Sequence, residues 1–256
     1  MSKLSAYILT FNEEDKIRDA LASITWADEI VVLDSHSTDR TISICREFTE
    51  KVYQCDFEGF GKLRNRALEL LTHDWVLSLD ADERATTELR DEIKAELLRG
   101  PRYEAYLIPR KNLFLGRWIR HGGWYPDYRQ PQFFNRHRLR YREDLVHEGY
   151  QVEGHIGYFH GHVMQVPFRD LGQFLHKMSR YSTLMADQMA QRGRRFHVHQ
   201  LVTHPLFMFF KMYIARQGFR DRTPGLILAV LYAYYSFVKY AKLWERTRSA
   251  SGRRDR

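Results

Sequence analysis

Trp75-Val76-Leu77-Ser78-Leu79-Asp80-Ala81-Asp82-Glu83 is the stretch that decides the fold of this chain. An apolar run that breaks into three carboxylates reads as a buried strand ending in an acidic turn. Thr86-Thr87-Glu88 then opens a helix. Upstream the same alternation repeats. Leu4 to Leu9 predicts a strand, and Glu13 to Ile24 a helix, with Ile17, Ala20, Leu21 and Ile24 at helical spacing. Glu29-Ile30-Val31-Val32-Leu33-Asp34 predicts a second strand, Thr41 to Phe48 a helix and Lys51 to Cys55 a third strand. Leu63, Ala67, Leu70 and Leu71 line one face of a further helix. Strands alternating with helices imply βαβ units and an α/β fold on a mostly parallel central sheet. In such sheets ligands bind beyond the carboxyl ends of the strands. Three polar runs fall there: Thr10-Phe11-Asn12-Glu13-Glu14, Asp34 to Asp39, and Asp80-Ala81-Asp82-Glu83.

Downstream the text changes. From Pro101 to Gln165 short strands (Tyr106-Leu107-Ile108, Gln132-Phe133-Phe134, Gly157-Tyr158-Phe159) alternate with Gly- and aromatic-rich loops. Phe168 to Met189 reads as an amphipathic helix, and Val198 to Trp244 is apolar in two blocks. Gly225 to Val238 runs 14 residues without a charge, short of the roughly 20 that a spanning helix needs. With Lys211, Arg216, Arg220, Arg222, Lys239, Lys242 and Arg246 around them, these blocks suit helices lying on an anionic membrane surface. A buried helical pair or an oligomer contact is the plainer alternative. The expected division is a catalytic domain over 1–165, with a nucleotide-binding half to 100 and an acceptor half from 101. A helical extension follows over 166–248, and a flexible basic tail over 249–256.

The 256 residues, 44% hydrophobic, suffice for one large domain or a domain with an appendage. Net charge is +8, unevenly spread: residues 1–100 carry 13 Lys/Arg against 21 Asp/Glu, and residues 101–256 carry 27 against 11. A basic second half suits an anionic partner such as nucleic acid, a membrane surface or a phosphorylated glycan. The positive charge flanks apolar helices, and the acidic turns would repel a phosphate backbone, so nucleic acid is set aside. Cys45 and Cys55 fit no zinc or disulfide pattern. Met1-Ser2-Lys3-Leu4 leads into a strand without the apolar core of a signal peptide. Both observations predict a cytoplasmic protein.

Alternate residues of an extended segment point the same way, so Asp80 and Asp82 can face one pocket. Two carboxylates that close repel unless a cation neutralises them, and Mg²⁺ or Mn²⁺ bridging to a diphosphate does so. Asp34 ends the second strand, where it can accept from a base N–H or ribose hydroxyls. Asp39 can do the same or cap the next helix. Thr10 and Asn12 either cap the first helix or, with Glu13, line a nucleotide site. Lys62 and Arg64 follow a Gly59-Phe60-Gly61 turn and suit phosphate contact or an exposed basic helix end. His160 can sit near the metal or belong to a structural His-x-His pair. Trp124 and Tyr125, near Trp118, can form a stacking platform for an acceptor sugar or plug the core. Arg129 and Arg136 can meet acceptor phosphates or simply solvent.

The three runs at the strand ends resemble the family 2 glycosyltransferases. Gly122-Gly123-Trp124-Tyr125-Pro126-Asp127, Val146-His147-Glu148 and the tail from Arg216 to Glu245 resemble the subgroup of lipopolysaccharide-core β-1,4-glucosyltransferases. The resemblance implies a GT-A fold, a nucleoside-diphosphate sugar donor (UDP-glucose in this subgroup), a divalent metal and inversion at the anomeric carbon. It matches Asp34 to the base-binding aspartate and Asp80 and Asp82 to the metal and sugar-phosphate motif, with Asp82 the direct ligand. An inverting displacement needs a base beside the acceptor hydroxyl. Many members carry it in a Glu-Asp pair; here Glu148 of Val-His-Glu is the first candidate and Asp144 the second. The implied acceptor is a heptose of the lipid A–core glycan at the cytoplasmic face of the inner membrane. A sugar nucleotidyltransferase is the alternative, but it would carry a Gly-rich loop where Thr10 to Glu14 stand.

Overall fold

The computed structural model describes residues 2–143 and 149–251. They gather into two compact units, Met1–Lys111 with Asp127–Gln165, and Asn112–Pro126 with Val166–Arg256.

In the first unit β1 (Leu4–Thr10), α1 (Ile17–Ala22), β2 (Glu29–Asp34), α2 (Thr41–Cys45), β3 (Val52–Gln54), α3 (Phe60–Leu70) and β4 (Trp75–Asp80) follow one another. β5 (Glu83–Ala85), α4 (Thr87–Arg99) and β6 (Ala105–Leu107) come next. β7 (Arg110–Phe114) and β8 (Arg117–Trp118) pair as a hairpin whose residues from 112 onward belong to the second unit. The chain returns with β9 (Phe133–Asn135), β10 (Leu139–Tyr141), β11 (Tyr150–Val152), β12 (Ile156–Tyr158) and β13 (Val163–Gln165).

The main sheet has seven strands in the order β12-β6-β9-β4-β1-β2-β3. β4, β1, β2 and β3 run parallel, whereas β9 is antiparallel to both β4 and β6. All seven residues of β1 are buried because helices cover both faces of the sheet. Ala6, Ile8, Leu77 and Leu79 meet Ile17 and Leu21 of α1 and Leu89, Ile93 and Leu97 of α4. The alternate residues Tyr7, Leu9, Val31 and Leu33 meet Leu63, Ala67 and Leu68 of α3.

Two helices are shorter than their periodicity predicts. The first begins at Ile17 and not at Glu13: residues 13–16 form a turn closed by Lys16 N–H to Glu13 O (2.9 Å), while Glu13 N–H donates to Thr41 Oγ1 (2.9 Å) and Glu14 N–H to Asp39 Oδ2 (3.2 Å). These last two bonds tie the turn to the loop after β2. α2 stops at Cys45, and the chain to Phe48 continues in tighter three-residue turns.

The second unit holds α5 (Leu171–Gln191), α6 (Gln200–Phe210) and α7 (Arg222–Ser251), with a π-turn over Lys211–Ala215 and a 3-10 turn over Gly218–Asp221. Phe114, Ile119, Phe174, Met178 and Leu228 form one core, and Ala186, Met189, Tyr240 and Leu243 another. The Lys242 ammonium of α7 donates to Ser179 O, Ser182 Oγ and Thr183 Oγ1 of α5, and Arg246 pairs with Asp187 (2.7 Å). Gly218–Arg248 is long and apolar enough to cross a membrane by length and composition, and 28% of its apolar window is buried within the protein.

Candidate active site at the carboxyl edge of the sheet

Parallel pairing sets Thr10 level with Asp34 and Leu9 level with Asp80, so the ends of β1, β2 and β4 share one edge. Asp34 is fully buried. Its Oδ2 accepts from Ser37 N–H (2.7 Å) and Gln54 Nε2 (3.3 Å), and its Oδ1 from the Ser37 hydroxyl. Ser37 Oγ accepts in turn from Asn12 N–H (2.8 Å), and Asn12 Oδ1 accepts from Thr38 N–H (2.8 Å). Asn12 takes φ 52°, a left-handed conformation that asparagine tolerates better than most residues. The loops after β1 and β2 thereby lock together. Asn12 does not cap the first helix, which has no side-chain cap. Asp39 Oδ1 accepts from Thr41 N–H (2.9 Å), a capping bond that ties it into its own turn.

The Asp80–Glu83 turn is gripped from behind. Glu83, with no exposed surface, accepts from Asp80 N–H (3.0 Å), Gln132 Nε2 (2.8 Å) and Arg110 Nε (2.6 Å). Arg110, the largest fully buried side chain in the protein's described part, also donates from Nη1 to Asp127 O (3.1 Å). Asp80 Oδ1 accepts from Arg64 Nη2 (2.9 Å), while Arg64 Nη1 donates to Ser78 Oγ (3.1 Å) and its guanidinium lies over the Tyr141 ring. Asp82 accepts from Gln165 Nε2 on β13 (3.2 and 3.4 Å).

The electrostatics of the two aspartates diverge. Burial would raise the Asp80 carboxyl, but Arg64 and then Arg110 overcome it and hold the group below its usual range. Asp82 has no such partner. Burial first, then the Glu83 and Asp80 carboxylates, push it up to about 7. An under-compensated carboxylate of this kind suits a divalent cation. Gln165 Oε1 beside it is buried without a partner, as is Thr10 Oγ1 at the end of β1. Mg²⁺ and Mn²⁺ need few protein oxygens when a diphosphate supplies others, so this donor set fits such an ion. Among the described residues no three His, Cys, Asp or Glu side chains form a metal-holding group.

His160 thus does not join Asp80 and Asp82 in such a group. Its backbone N–H and ring face Glu92 of α4, and its side chain is almost fully exposed. Arg64, read from sequence as a phosphate contact or an exposed basic helix end, is buried against Asp80, whose carboxylate its guanidinium neutralises. Lys62 lies on the exposed side of α3, paired with Glu58 (2.7 Å), and Glu13 pairs with Lys16 (3.2 Å). Arg129 pairs with Asp127 (2.8 Å), and Glu83 and Asp80 add to Asp127 in raising its pKa against burial. Arg136 donates from Nη1 to Leu71 O, a structural role. Trp124 and Tyr125 belong to the second unit. Trp124 packs edge-on against Phe114 and Tyr232 as part of its core, and Tyr125 against Trp118. Asp144 and Glu148 lie outside the described residues. Sequence reasoning missed Ser37, Glu83, Arg110, Gln132 and Gln165. Glu83, a third carboxylate next to Asp80 and Asp82, and Arg110, directly after Tyr106-Leu107-Ile108-Pro109, carried the available signals, since charges placed beside buried strands must pair.

The chain is 28% identical over 254 residues to the lipopolysaccharide core biosynthesis glycosyltransferase LpsC of Rhizobium meliloti (strain 1021), covering 95% of this chain and 92% of that protein. It is also 28% identical over 258 residues to the uncharacterized glycosyltransferase RT0209 of Rickettsia typhi (strain ATCC VR-144 / Wilmington), covering 96% and 88%. Among solved structures, S. aureus TarS 1-349 aligns with a TM-score of 0.49 at 17% identity, over 97% of this chain and 92% of that one. The family model described as Glycosyl transferase family 2 matches residues 5–163, which include all three strand-end runs. With its mostly parallel, helix-covered sheet in the GT-A fold, the chain belongs to glycosyl transferase family 2.

Proposed function

We propose that this glycosyltransferase moves a hexose, glucose first among candidates, from a nucleoside-diphosphate donor to a heptose of the lipopolysaccharide inner core, with inversion. The observation that carries this reading is the pairing of a compensated Asp80 with an under-compensated Asp82 at the edge shared with Asp34. The likeness to LpsC over nearly the whole chain supports the class of acceptor. The basic second half and its exposed apolar helices support work at the cytoplasmic face of the inner membrane.

In this reading Asp34 receives the nucleobase or ribose, its carboxylate aimed by Ser37 and Gln54. UDP is the nucleotide the family resemblance favours. The loops of Thr10, Asn12 and Glu13 wall the same pocket. Asp82 holds Mg²⁺ or Mn²⁺, which when bound neutralises charge on the departing diphosphate. Asp80 stays ionised under Arg64 and orients the donor sugar. Arg129 and Lys62 are the cations on this unit for phosphate oxygens. Trp124 and Tyr125 contribute to acceptor binding through the loop they stabilise.

Glu148 takes the proton of the acceptor hydroxyl, with Asp144 the second candidate. The described residues on either side of that segment are held firmly. Arg142 N–H donates to Gly149 O (2.8 Å), and Asn65 of α3 donates to Tyr141 O (2.9 Å) and Glu143 Oε1 (3.1 Å).

The test is a donor screen with purified enzyme and a heptose-terminated, truncated lipopolysaccharide, read by product mass. No added hexose with any nucleotide donor would overturn the assignment. Separately, UDP binding should require Mn²⁺ or Mg²⁺ and disappear in Asp82→Ala; metal-independent binding would remove Asp82 from its role. If Glu148→Gln keeps near-normal turnover while Asp144→Asn does not, the base is Asp144.

A further inference from the structure

The helical unit carries an unbalanced set of cations. From Gln188 to Trp244 the chain has a single acidic residue, Asp221, against nine Lys/Arg. Asp221 is buried, and its oxygens accept from Arg120 N–H (3.3 Å) and His121 N–H (2.8 Å) and meet the His121 ring (3.1 Å). It is therefore committed to the loop before Trp124.

Two of these cations, Arg194 and Lys239, lie with His199 and His204 where the chain leaving α5 meets α6 and α7. Phe196 and Leu201 pack with Tyr240 and Leu243, which draws the 192–199 loop and the start of α6 onto α7. The His204 ring stacks on Tyr240 with centroids 4.4 Å apart, and the Lys239 ammonium lies 4.9 Å from the same ring. Burial, then Lys239, Arg194 and His199, hold His204 below its usual range; burial, then Arg194, does the same to Lys239. Among the described residues no carboxylate contributes to either shift. The half-buried Lys239 ammonium beside the Arg194 guanidinium is costly until an anion enters between them, and an anion would also favour protonation of His204.

Beside this cluster lies an apolar stripe. Val198, Val202, Leu206, Phe207, Phe210 and Ile214 recur at helical spacing along α6 and the turns flanking it, and each is more than half exposed. Gln200 is the one buried residue of α6. An apolar helix face bordered by cations matches the boundary between lipid headgroups and acyl chains. α7 is a weaker candidate for insertion, because Lys242 and Arg246 bind it to α5.

We propose that Arg194, His199, His204 and Lys239 form a phosphate site for a membrane lipid, with the α6 stripe lying in the bilayer interface next to it. The proposal rests on the reading that the acceptor is membrane-borne, and it names the element that holds the surface.

The experiment is co-sedimentation of the full chain with vesicles of phosphatidylcholine alone or with phosphatidylglycerol. Wild type should bind the anionic vesicles and bind the neutral ones weakly. Arg194→Ala/Lys239→Ala should lose roughly ten- to thirty-fold in affinity for anionic vesicles. Arg99→Ala/Arg180→Ala, an equal change in net charge at two other exposed sites, should lose much less. Phe207→Ser/Phe210→Ser should lose binding to both vesicle types. Equal losses in the two charge variants would overturn the site in favour of diffuse attraction. Inorganic phosphate bound tightly by wild type, with vesicle affinity unchanged in Arg194→Ala/Lys239→Ala, would assign the cluster to a free anion instead. Failure of wild type to bind any vesicle would overturn both the site and the membrane reading. Transfer to a soluble, delipidated acceptor should be unchanged in Arg194→Ala/Lys239→Ala, which separates this proposal from the catalytic one.

Discussion

Arg110 and Glu83 are nearly devoid of solvent contact and 2.6 Å apart. A buried ion pair adds little net stability over an apolar pair, but removing one partner strands the other. Arg110→Met should therefore cost about 3–5 kcal/mol. Adding Glu83→Gln to it should recover part of that loss, read as urea midpoints in a double-mutant cycle. What the pair supplies is geometry. Glu83 holds the Asp80 N–H while Arg110 holds Asp127 O, so the acidic turn and the loop leading to Arg129 are set by one contact. The double variant should consequently remain folded yet bind nucleotide poorly, with the loss in KM for the donor exceeding that in kcat. Asp34 and Asp80 were legible from sequence because each ends an apolar run, and Asp82 because it stands two residues beyond Asp80. Arg110 offered only its place behind an apolar run, and Gln132 offered nothing, because no local feature distinguishes its buried, paired amide from an exposed one.

Among the elements, the start of β2 is tied down by Glu29. It accepts from the Ser5 hydroxyl, Lys51 Nζ (2.5 Å) and Thr72 N–H (2.8 Å), joining β1, β2 and the approaches to β3 and β4. Burial opposes ionisation, but Lys51, Ser5 and Thr72 outweigh it and hold the group at about 2, against 4.5 when unperturbed. A depressed carboxyl stabilises the fold above its unfolded value, and that contribution drains away as pH falls from about 4.5 towards 2. It amounts to about 3 kcal/mol. Glu29→Gln should flatten the acid limb of the stability curve by that amount; an unchanged limb would remove Glu29 from its place. α3 offers a second test. A Cβ at Gly61 would lie 2.0 Å from Arg142 O, which the backbone must move to admit. Gly61→Ala should cost about 1–3 kcal/mol by overpacking and lower turnover through displacement of Arg142. The midpoint of urea unfolding and a turnover assay read the two effects. The mostly parallel sheet followed from apolar runs alternating with helical ones, but the order of its strands did not. The true start of α1 did not, because the turn over residues 13–16 is held by contacts to Asp39 and Thr41, far along the chain, which local periodicity does not encode.

For the whole molecule, the division of charge predicts a division of salt sensitivity. Raising salt from about 0.1 M to about 1 M shortens the screening length from ~10 Å to ~3 Å. Binding to anionic vesicles should fall steeply over this range, leaving the residual held by the α6 stripe. UDP binding at buried Asp34 and Asp80 should change far less. Parallel loss of both would show that the acidic and basic regions act on one ligand.

The antiparallel placement of β9 carries a consequence for how the chain is made. β4 is bordered by β1 on one side, but its other neighbour, Phe133–Asn135, is translated more than fifty residues later. Until then the growing polypeptide presents an apolar strand with one row of backbone groups unpaired, the template for sticking to another nascent chain. Ribosome-bound intermediates ending near residue 100 should therefore recruit chaperones or aggregate, and protection of the β4 amides that face β9 should appear only once residue 135 has cleared the exit tunnel.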